Sequence, residues 1–153
     1  MIPQKLKNNF YFKKILKYCS LSIKSESEVI RKLRDYEVPP EELTEMVDTL
    51  RVFKFFFSDE EYVSRFLENL SSQKGYSKIQ LKQKLLRKGL PTKIVSIQLD
   101  EFYKKNESEQ IGKFIKKNYS KLLRKDKNKR LAFLISKGFG VDNIRRQLKE
   151  LDL

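Results

Sequence analysis

One pattern of residues recurs three times along this 153-residue chain, at intervals of about fifty residues. From the first copy to the second the offset is 52, and from the second to the third it is 49. The equivalent apolar positions include Leu33, Leu85 and Leu134, and also Leu50, Phe102 and Leu151. Self-similarity of this period is typical of stacked supersecondary units. The sequence therefore predicts three tandem repeats, over residues 1–57, 58–106 and 107–153.

Within each repeat the apolar residues recur at steps of three and four, which is the spacing of an amphipathic helix. Turn residues divide each repeat into three such segments. The sequence thus predicts an all-α protein of nine helices, near residues 7–20, 26–36, 40–52, 59–72, 78–88, 92–105, 108–123, 127–137 and 141–151. We expect an elongated array of three-helix, helix-turn-helix-like units, whose curvature the sequence leaves open.

The middle helix of each repeat has clear boundary signals. Residues that can accept a bond from a free backbone N–H stand at its start, namely Ser25, Ser77 and Asp126. Two of the three helices are followed by glycine, at Gly89 and Gly138, whereas Glu37 occupies this position in the first repeat. A glycine there favours a left-handed C-terminal turn. These signals predict both ends of the middle helices.

The composition argues against an enzyme and against a metal or cofactor site. The chain has one cysteine, Cys19, and no histidine, so an internal disulfide and the usual zinc sites are excluded. The adjacent carboxylates Asp59, Glu60 and Glu61 point in different directions on a helix, which disfavours a Mg²⁺ site. No apolar run approaches the roughly 20 residues that span a bilayer, and the first residues do not form a signal peptide. We therefore expect a protein of the cytoplasm with no membrane association.

The positive charge of the chain is concentrated in its second part. The formal net charge is +14, from 34 basic and 20 acidic residues. Residues 1–70 hold 12 basic and 12 acidic side chains, whereas residues 71–153 hold 22 and 8. A basic C-terminal part beside a neutral N-terminal part predicts a polyanionic or acidic partner, contacted mainly by the later repeats.

Three basic groups are the candidate contacts with a partner or with DNA. The middle helix of the second repeat carries Lys84, Arg87 and Lys88. The densest tract continues from the first helix of the third repeat into the next, with Lys113, Lys116, Lys117, Lys121, Arg124, Lys125, Lys127, Lys129 and Arg130. The last helix carries Arg145, Arg146 and Lys149. For each group a solvated helix face without a ligand is the alternative, since surface lysines and arginines are common where nothing binds.

Two other motifs have structural interpretations. Phe53, Phe55, Phe56 and Phe57 could stack on bases of single-stranded nucleic acid, but packing at the junction of the first two repeats is the favoured interpretation. The segment Gly138-Phe-Gly140 is a fragment of a nucleotide-binding fingerprint, and because it follows a helix we interpret it as a turn.

Three segments, in their order and spacing, resemble the RecX family of regulatory proteins. Phe57–Val63 is similar to the family's Leu-Asp-Asp-x-x-Phe-Ala segment, with Phe57 in place of Leu and Ser58 in place of the first Asp. Gly75–Leu90 is similar to its Gly-x-x-x-Ile-x-x-x-Leu-x-x-Lys-Gly-Ile segment. Ala132–Phe139 is similar to Arg-Phe-Leu-x-x-Arg-Gly-Phe, with Lys137 in place of the common Arg. The resemblance covers nearly the whole chain and is weakest in the first repeat.

Members of this family are all-α proteins of tandem three-helix units that bind along the helical groove of the RecA filament on single-stranded DNA. There they inhibit ATP hydrolysis and strand exchange and limit filament growth. The resemblance implies the same role here, in homologous recombination, DNA repair and the SOS response. The implied partners are the RecA filament and single-stranded DNA, contacted directly or through the filament. We further expect a monomer without a cofactor, although the sequence itself does not reveal whether the protein dimerises.

Two alternatives stay open on the sequence alone. The basic second part and the helix-turn-helix character of each unit also fit a sequence-nonspecific nucleic-acid-binding module. A helical scaffold for another acidic protein is the third possibility.

Overall fold

The computed structural model describes residues 1–71 and 75–153. Within these ranges every regular element is a helix: α1 Gln4–Lys7, α2 Phe10–Leu21, α3 Glu26–Asp35, α4 Pro40–Val52, α5 Asp59–Ser71, α6 Lys78–Arg87, α7 Thr92–Lys117, α8 Tyr119–Leu123, α9 Lys127–Ser136 and α10 Val141–Glu150. The one bridge between extended segments of the described chain is parallel and joins Ser25 to Phe57. The predicted all-α fold class is confirmed.

The buried apolar side chains form two cores. The first core lies among α1 to α4 and includes Phe12 and Leu33. The second core is shared by α5 to α10 and includes Leu85 and Leu134, which are equivalent positions of the second and third predicted repeats. Helix α7 contacts α5, α6 and α10 and so lies at the centre of this second core. The later two-thirds of the chain therefore pack as one body around α7.

The predicted division between residues 92–105 and 108–123 is wrong, because a single helix, α7, continues to Lys117. Neither proline nor glycine stands at residues 105–108, where the division was predicted. The Asn106 side-chain amide donates to the Phe102 carbonyl oxygen at 2.9 Å, within the helix. The actual break is at Asn118, whose side chain donates in the same way to the Phe114 carbonyl oxygen at 2.9 Å. The predicted repeat boundary at residues 106 and 107 lies inside α7, and the repeat boundaries themselves stay a prediction.

Other predicted bounds agree with the described helices to within a few residues. The short helix α1 was not predicted. Residue 72, the last of the predicted helix 59–72, lies outside the described residues.

The capping signals read from the sequence are confirmed. The Ser25 hydroxyl accepts from the Glu28 backbone N–H at 3.1 Å, and the Glu28 carboxylate accepts from the Ser25 N–H at 2.8 Å. Ser77 and Gln80 form the same reciprocal pair at the start of α6. The Asp126 carboxylate accepts from the Lys129 N–H at 2.9 Å. An N-cap of this kind is worth about 1 kcal/mol, so the middle helices begin at stabilised positions.

The C-terminal turns of the same helices are left-handed. Gly89 has φ 83° and Gly138 has φ 93°. Glu37, which takes the equivalent position in the first repeat, also has a positive φ, of 60°. The geometry of the turn is thus shared, although glycine is absent from one of the three positions.

The aromatic tract divides between burial and exposure. Phe56 lies in the first core, and Phe57 packs against the second, so core packing is confirmed for these two. It is wrong for Phe53 and Phe55, which are 40% and 38% exposed. Gly138 and the following residues form the turn between α9 and α10, as predicted, with Phe139 buried.

Candidate nucleic-acid interface

The segment that precedes α6 lies tightly against α7. A Cβ atom on Gly75 would stand 2.2 Å from the backbone nitrogen of Phe114, so the close approach of these two backbones requires glycine. The next residue, Tyr76, donates its N–H to the side-chain oxygen of Gln110 at 3.4 Å, and Gln110 is only 1% exposed. The hydroxyl of the buried Tyr103 donates to the Tyr76 carbonyl oxygen at 2.5 Å. These contacts hold Tyr76 in a defined position between α6 and α7.

The ring of Tyr76 is flanked by two lysines from different helices. The Lys84 ammonium, on α6, lies 5.7 Å from the ring centroid, and the Lys117 ammonium, at the end of α7, lies 5.8 Å from it. Both distances fall within the range of a cation–π contact. The fold thus brings together members of two basic groups that are 33 residues apart in the chain.

A second half-buried ring gathers three lysines. The ammonium groups of Lys121, Lys125 and Lys137 lie 4.6, 5.7 and 5.3 Å from the centroid of Phe133. Lys121 comes from α8, Lys125 from the turn after it, and Lys137 from the C-cap of α9. Lys137 was not among the predicted binding residues. Its position before Gly138, where the RecX family commonly has arginine, was the signal that could have identified it.

Phe114 lies between the Gly75–Tyr76 segment and Phe133. Its backbone contacts Gly75, and its ring centroid lies 6.1 Å from that of Phe133. We call this surface the Tyr76–Phe133 face, made of the two rings and of Lys84, Lys117, Lys121, Lys125 and Lys137. Over the described parts of the chain, none of these five lysines has a carboxylate within 4.0 Å. The face therefore carries five positive charges that the protein does not neutralise by direct pairing.

Such a face suits a polyanion with planar groups. Ammonium groups held beside rings can contact phosphates, and half-buried aromatic side chains can contact bases or sugars of a single strand. Phosphate contacts of this type position a protein without reading sequence.

The other predicted binding residues contact neither ring. Lys88 lies near the rings of Tyr62 and Phe66, at 6.0 and 5.8 Å, and so faces α5. Lys113 forms an ion pair with Glu109 at 2.8 Å. The remaining predicted residues lie on α6, α7, α9, α10 and the turn after α8, and all are exposed except the half-buried Arg130. They are Arg87, Lys116, Arg124, Lys127, Lys129, Arg130, Arg145, Arg146 and Lys149.

Burial changes the ionisation of two groups near the cores. It raises the pKa of Tyr103, with a further upward contribution from the charge of Glu107, so the hydroxyl stays a hydrogen-bond donor at neutral pH. Burial also raises the pKa of the Cys19 thiol to about 11, which leaves little thiolate at neutral pH. Cys19 is therefore a poor nucleophile.

Neither a metal-ligand cluster nor a membrane-spanning helix occurs in the described residues. In residues 1–71 and 75–153 no three His, Cys, Asp or Glu side chains lie close enough to hold a metal ion. No helix of the same ranges is long and apolar enough to cross a membrane.

Comparison with known proteins points to one group of relatives. No family model matches the chain. A protein named Regulatory protein RecX from Clostridium botulinum (strain Eklund 17B / Type B) is 28% identical over 142 residues, which cover 88% of this chain and 65% of the relative. Another of that name from Streptococcus agalactiae serotype V is 27% identical over 140 residues, covering 90% of this chain and 54% of the relative. The chain thus spans between about half and two-thirds of the length of these curated relatives.

Two solved structures share the fold. The crystal structure of RecX from Lactobacillus salivarius superposes with a TM-score of 0.74 at 22% identity, covering 93% of this chain and 94% of that one. A crystal structure of regulatory protein RecX gives a TM-score of 0.68 at 20% identity, covering 89% and 70%. The resemblance to RecX regulatory proteins is therefore confirmed, in sequence over most of the chain and in its all-α fold.

Proposed function

We propose that this protein is a non-catalytic regulator that binds the filament formed by the recombinase RecA on single-stranded DNA. Bound there, it inhibits ATP hydrolysis, strand exchange and filament extension, and it acts as a cytoplasmic monomer. The similarity to proteins named Regulatory protein RecX supports the choice of partner. The Tyr76–Phe133 face supports direct contact with the DNA of the filament.

One observation carries the proposal most directly, namely that three ammonium groups converge on the single ring of Phe133. Because all three ammonium groups lie within 5.7 Å of one ring centroid, their like charges repel one another. The ring offsets part of this repulsion through cation–π attraction. A polyanion would offset the rest, because its phosphates place negative charge beside the ammonium groups, and the lysines in turn release cations condensed on the polyanion. The remaining repulsion among these lysines therefore favours the binding of DNA or of a comparable polyanion.

The shape of the second core supports inhibition by bridging. Helix α7 has 26 residues and is about 39 Å long. It contacts α5, α6 and α10, so these helices form one packed body around it. We propose that this body attaches to neighbouring RecA protomers and resists the rearrangements that ATP turnover and extension require. Inhibition is then stoichiometric with respect to the filament.

The second candidate is a sequence-nonspecific nucleic-acid-binding module. The Tyr76–Phe133 face favours it as well, since lysines interleaved with aromatic rings bind single strands without any protein partner. Such a module would inhibit RecA only by competing for the strand. The two candidates therefore differ in how inhibition responds to free DNA.

The test measures ATP hydrolysis by RecA on single-stranded DNA while this protein is added, first at limiting and then at excess DNA. Strong inhibition at protein concentrations that leave most of the DNA uncovered, persisting in excess DNA, is the result the filament proposal requires. Inhibition that disappears with excess DNA indicates competition for the strand and supports the second candidate. The inactive control is the same protein after heat denaturation.

A further inference from the structure

A groove between α9 and α10 lies outside the Tyr76–Phe133 face. Its volume is about 590 Å³. Its apolar lining comes from three leucines, Leu131, Leu148 and Leu153, of which Leu148 is buried and the other two are half-buried. Apolar side chains thus form a floor that stays open to a ligand.

The rim of this groove is strongly basic. Four cations line it, and they are Lys127, Arg130, Arg145 and Lys149, against the single carboxylate side chain of Asp152 among the lining residues. In the described ranges none of the four forms an ion pair with a carboxylate. The groove therefore has a net positive charge above an apolar floor.

Arg130 gives the groove a fixed element. Its Nε donates to the Leu122 carbonyl oxygen at 2.8 Å, and an Nη donates to the Leu123 carbonyl oxygen at 3.4 Å. These bonds join α9 to the end of α8. They do not neutralise the positive charge of the guanidinium, because carbonyl oxygens carry no formal charge. Arg145 and Lys149 are four residues apart on α10 and so lie on one side of that helix.

The floor distinguishes this groove from the Tyr76–Phe133 face. Nucleobases are held by stacking on aromatic rings, and the lining of the groove contains no aromatic side chain. Leucine floors instead accept aliphatic or aromatic side chains of a peptide, as at the centres of protein interfaces. Arginine side chains bind carboxylates, and equally phosphates, in a two-point geometry. The leucine floor without an aromatic ring is therefore the feature that favours an acidic peptide over a nucleic acid.

We infer that the α9–α10 groove binds an acidic peptide segment of a partner protein. An apolar side chain of that segment lies on Leu131 and Leu148, while its carboxylates pair with Arg145 and Lys149. This goes beyond the proposed function, because the site needs no nucleic acid and can be tested without a filament.

The experiment uses fluorescence anisotropy with two short fluorescein-labelled peptides, one made of Glu, Asp and Leu and the other with each Leu replaced by Ser. A fluorescein-labelled oligothymidine is the third probe. The full chain is compared with the Arg145→Glu/Lys149→Glu variant. A matched variant, Lys82→Glu/Lys104→Glu, makes the same change of charge at exposed residues outside the groove, and circular dichroism checks that both variants are folded.

The leucine-containing peptide should bind the full chain about tenfold more tightly than the serine peptide, because its leucine leaves water on binding the apolar floor. Its affinity should fall at least about tenfold in the groove variant and by less than about threefold in the matched variant. In the groove variant the loss should be larger for the peptide than for oligothymidine. Equal affinity for both peptides, equal losses in both variants, or a larger loss for oligothymidine would each overturn the inference.

Discussion

The hydroxyl of Tyr103, in the middle of α7, donates a 2.5 Å hydrogen bond to the carbonyl oxygen of Tyr76. Tyr103 is buried, and the backbone N–H of Tyr76 donates a further bond to the Gln110 side-chain oxygen at 3.4 Å. This hydrogen bond therefore couples the central helix of the second core to the residue whose ring is flanked by Lys84 and Lys117.

Replacing Tyr103 by phenylalanine should lower the free energy of unfolding by about 1–2 kcal/mol, because the Tyr76 carbonyl oxygen loses its donor in a partly buried position. Urea denaturation followed by circular dichroism measures the change. Tyr119→Phe is the control, since Tyr119 is 42% exposed, and it should change stability by less than about 0.5 kcal/mol. Equal effects of the two substitutions would show that the Tyr103 hydroxyl contributes nothing specific.

Replacing Gly75 by alanine should be more damaging, by about 2 kcal/mol or more, because the new methyl group would overlap the backbone of α7 at Phe114. Gly140→Ala is the matched control. The nearest atom to a Cβ at Gly140 is a carboxylate oxygen of Glu107 at 3.0 Å, and that side chain can move. Thermal unfolding of both variants would test this. A Gly75→Ala protein as stable as Gly140→Ala would mean that the two backbones do not approach this closely.

Replacing Glu37 by glycine should stabilise the protein, by about 0.5–1 kcal/mol. Glu37 has φ 60°, and a left-handed backbone costs a non-glycine residue about 1–2 kcal/mol, partly offset by the greater freedom of glycine in the unfolded chain. Glu37→Ala keeps the unfavourable backbone and should bring no comparable gain. Urea denaturation midpoints compare the three proteins, and a loss of stability in Glu37→Gly would contradict the left-handed geometry.

The thiol of Cys19 should react slowly with a disulfide reagent such as DTNB. Because burial raises its pKa from 9.0 to about 11, the folded protein holds far less thiolate near pH 8 than the unfolded chain does. The higher nucleophilicity of a high-pKa thiolate offsets part of this, so we expect reaction about tenfold slower in buffer than in urea.

The same shift has a defined sign for stability. A raised folded-state pKa means that the fold favours the protonated thiol, so this contribution is complete below pH 9 and is lost as the pH rises towards 11. The DTNB rate in buffer should accordingly rise steeply over that range. Equal rates in buffer and in urea would show that Cys19 is accessible and unshifted.

Much of the fold could be predicted from local signals. The capping residues Ser25, Ser77 and Asp126 identified the starts of the middle helices, because a cap depends only on residues adjacent in sequence. The continuation of α7 across residues 105–108 was not predicted. The repeat offset falls from 52 to 49, however, and this marks a shorter connection between the second and third repeats. A connection that is short and lacks proline and glycine can continue as helix, so the continuous α7 could have been predicted from the sequence.

The site could be predicted only in part. The high density of lysine and arginine in the second part of the chain predicted Lys84, Lys117, Lys121 and Lys125. It did not predict the aromatic rings near which these lysines lie. Convergence on Tyr76 and Phe133 depends on how α6, α7, α8 and α9 pack, and packing is not visible in helical periodicity. Similarly, the exposure of Phe53 and Phe55 follows from the turn at Lys54, whose φ is 57°, and not from their hydrophobicity.

We propose that the Tyr76–Phe133 face contacts the DNA of a recombinase filament. The direct test is the affinity of labelled protein for RecA filaments preformed on single-stranded DNA. Anisotropy would be measured over a range of salt for the full chain, for Lys117→Gln/Lys121→Gln, and for the control Lys82→Gln/Lys104→Gln. We predict that the face variant binds at least about tenfold more weakly and that the slope of log affinity against log salt falls by about 1.4, while the control changes little. If the face variant keeps the affinity and the salt slope of the full chain, the Tyr76–Phe133 face does not contact the DNA of the filament.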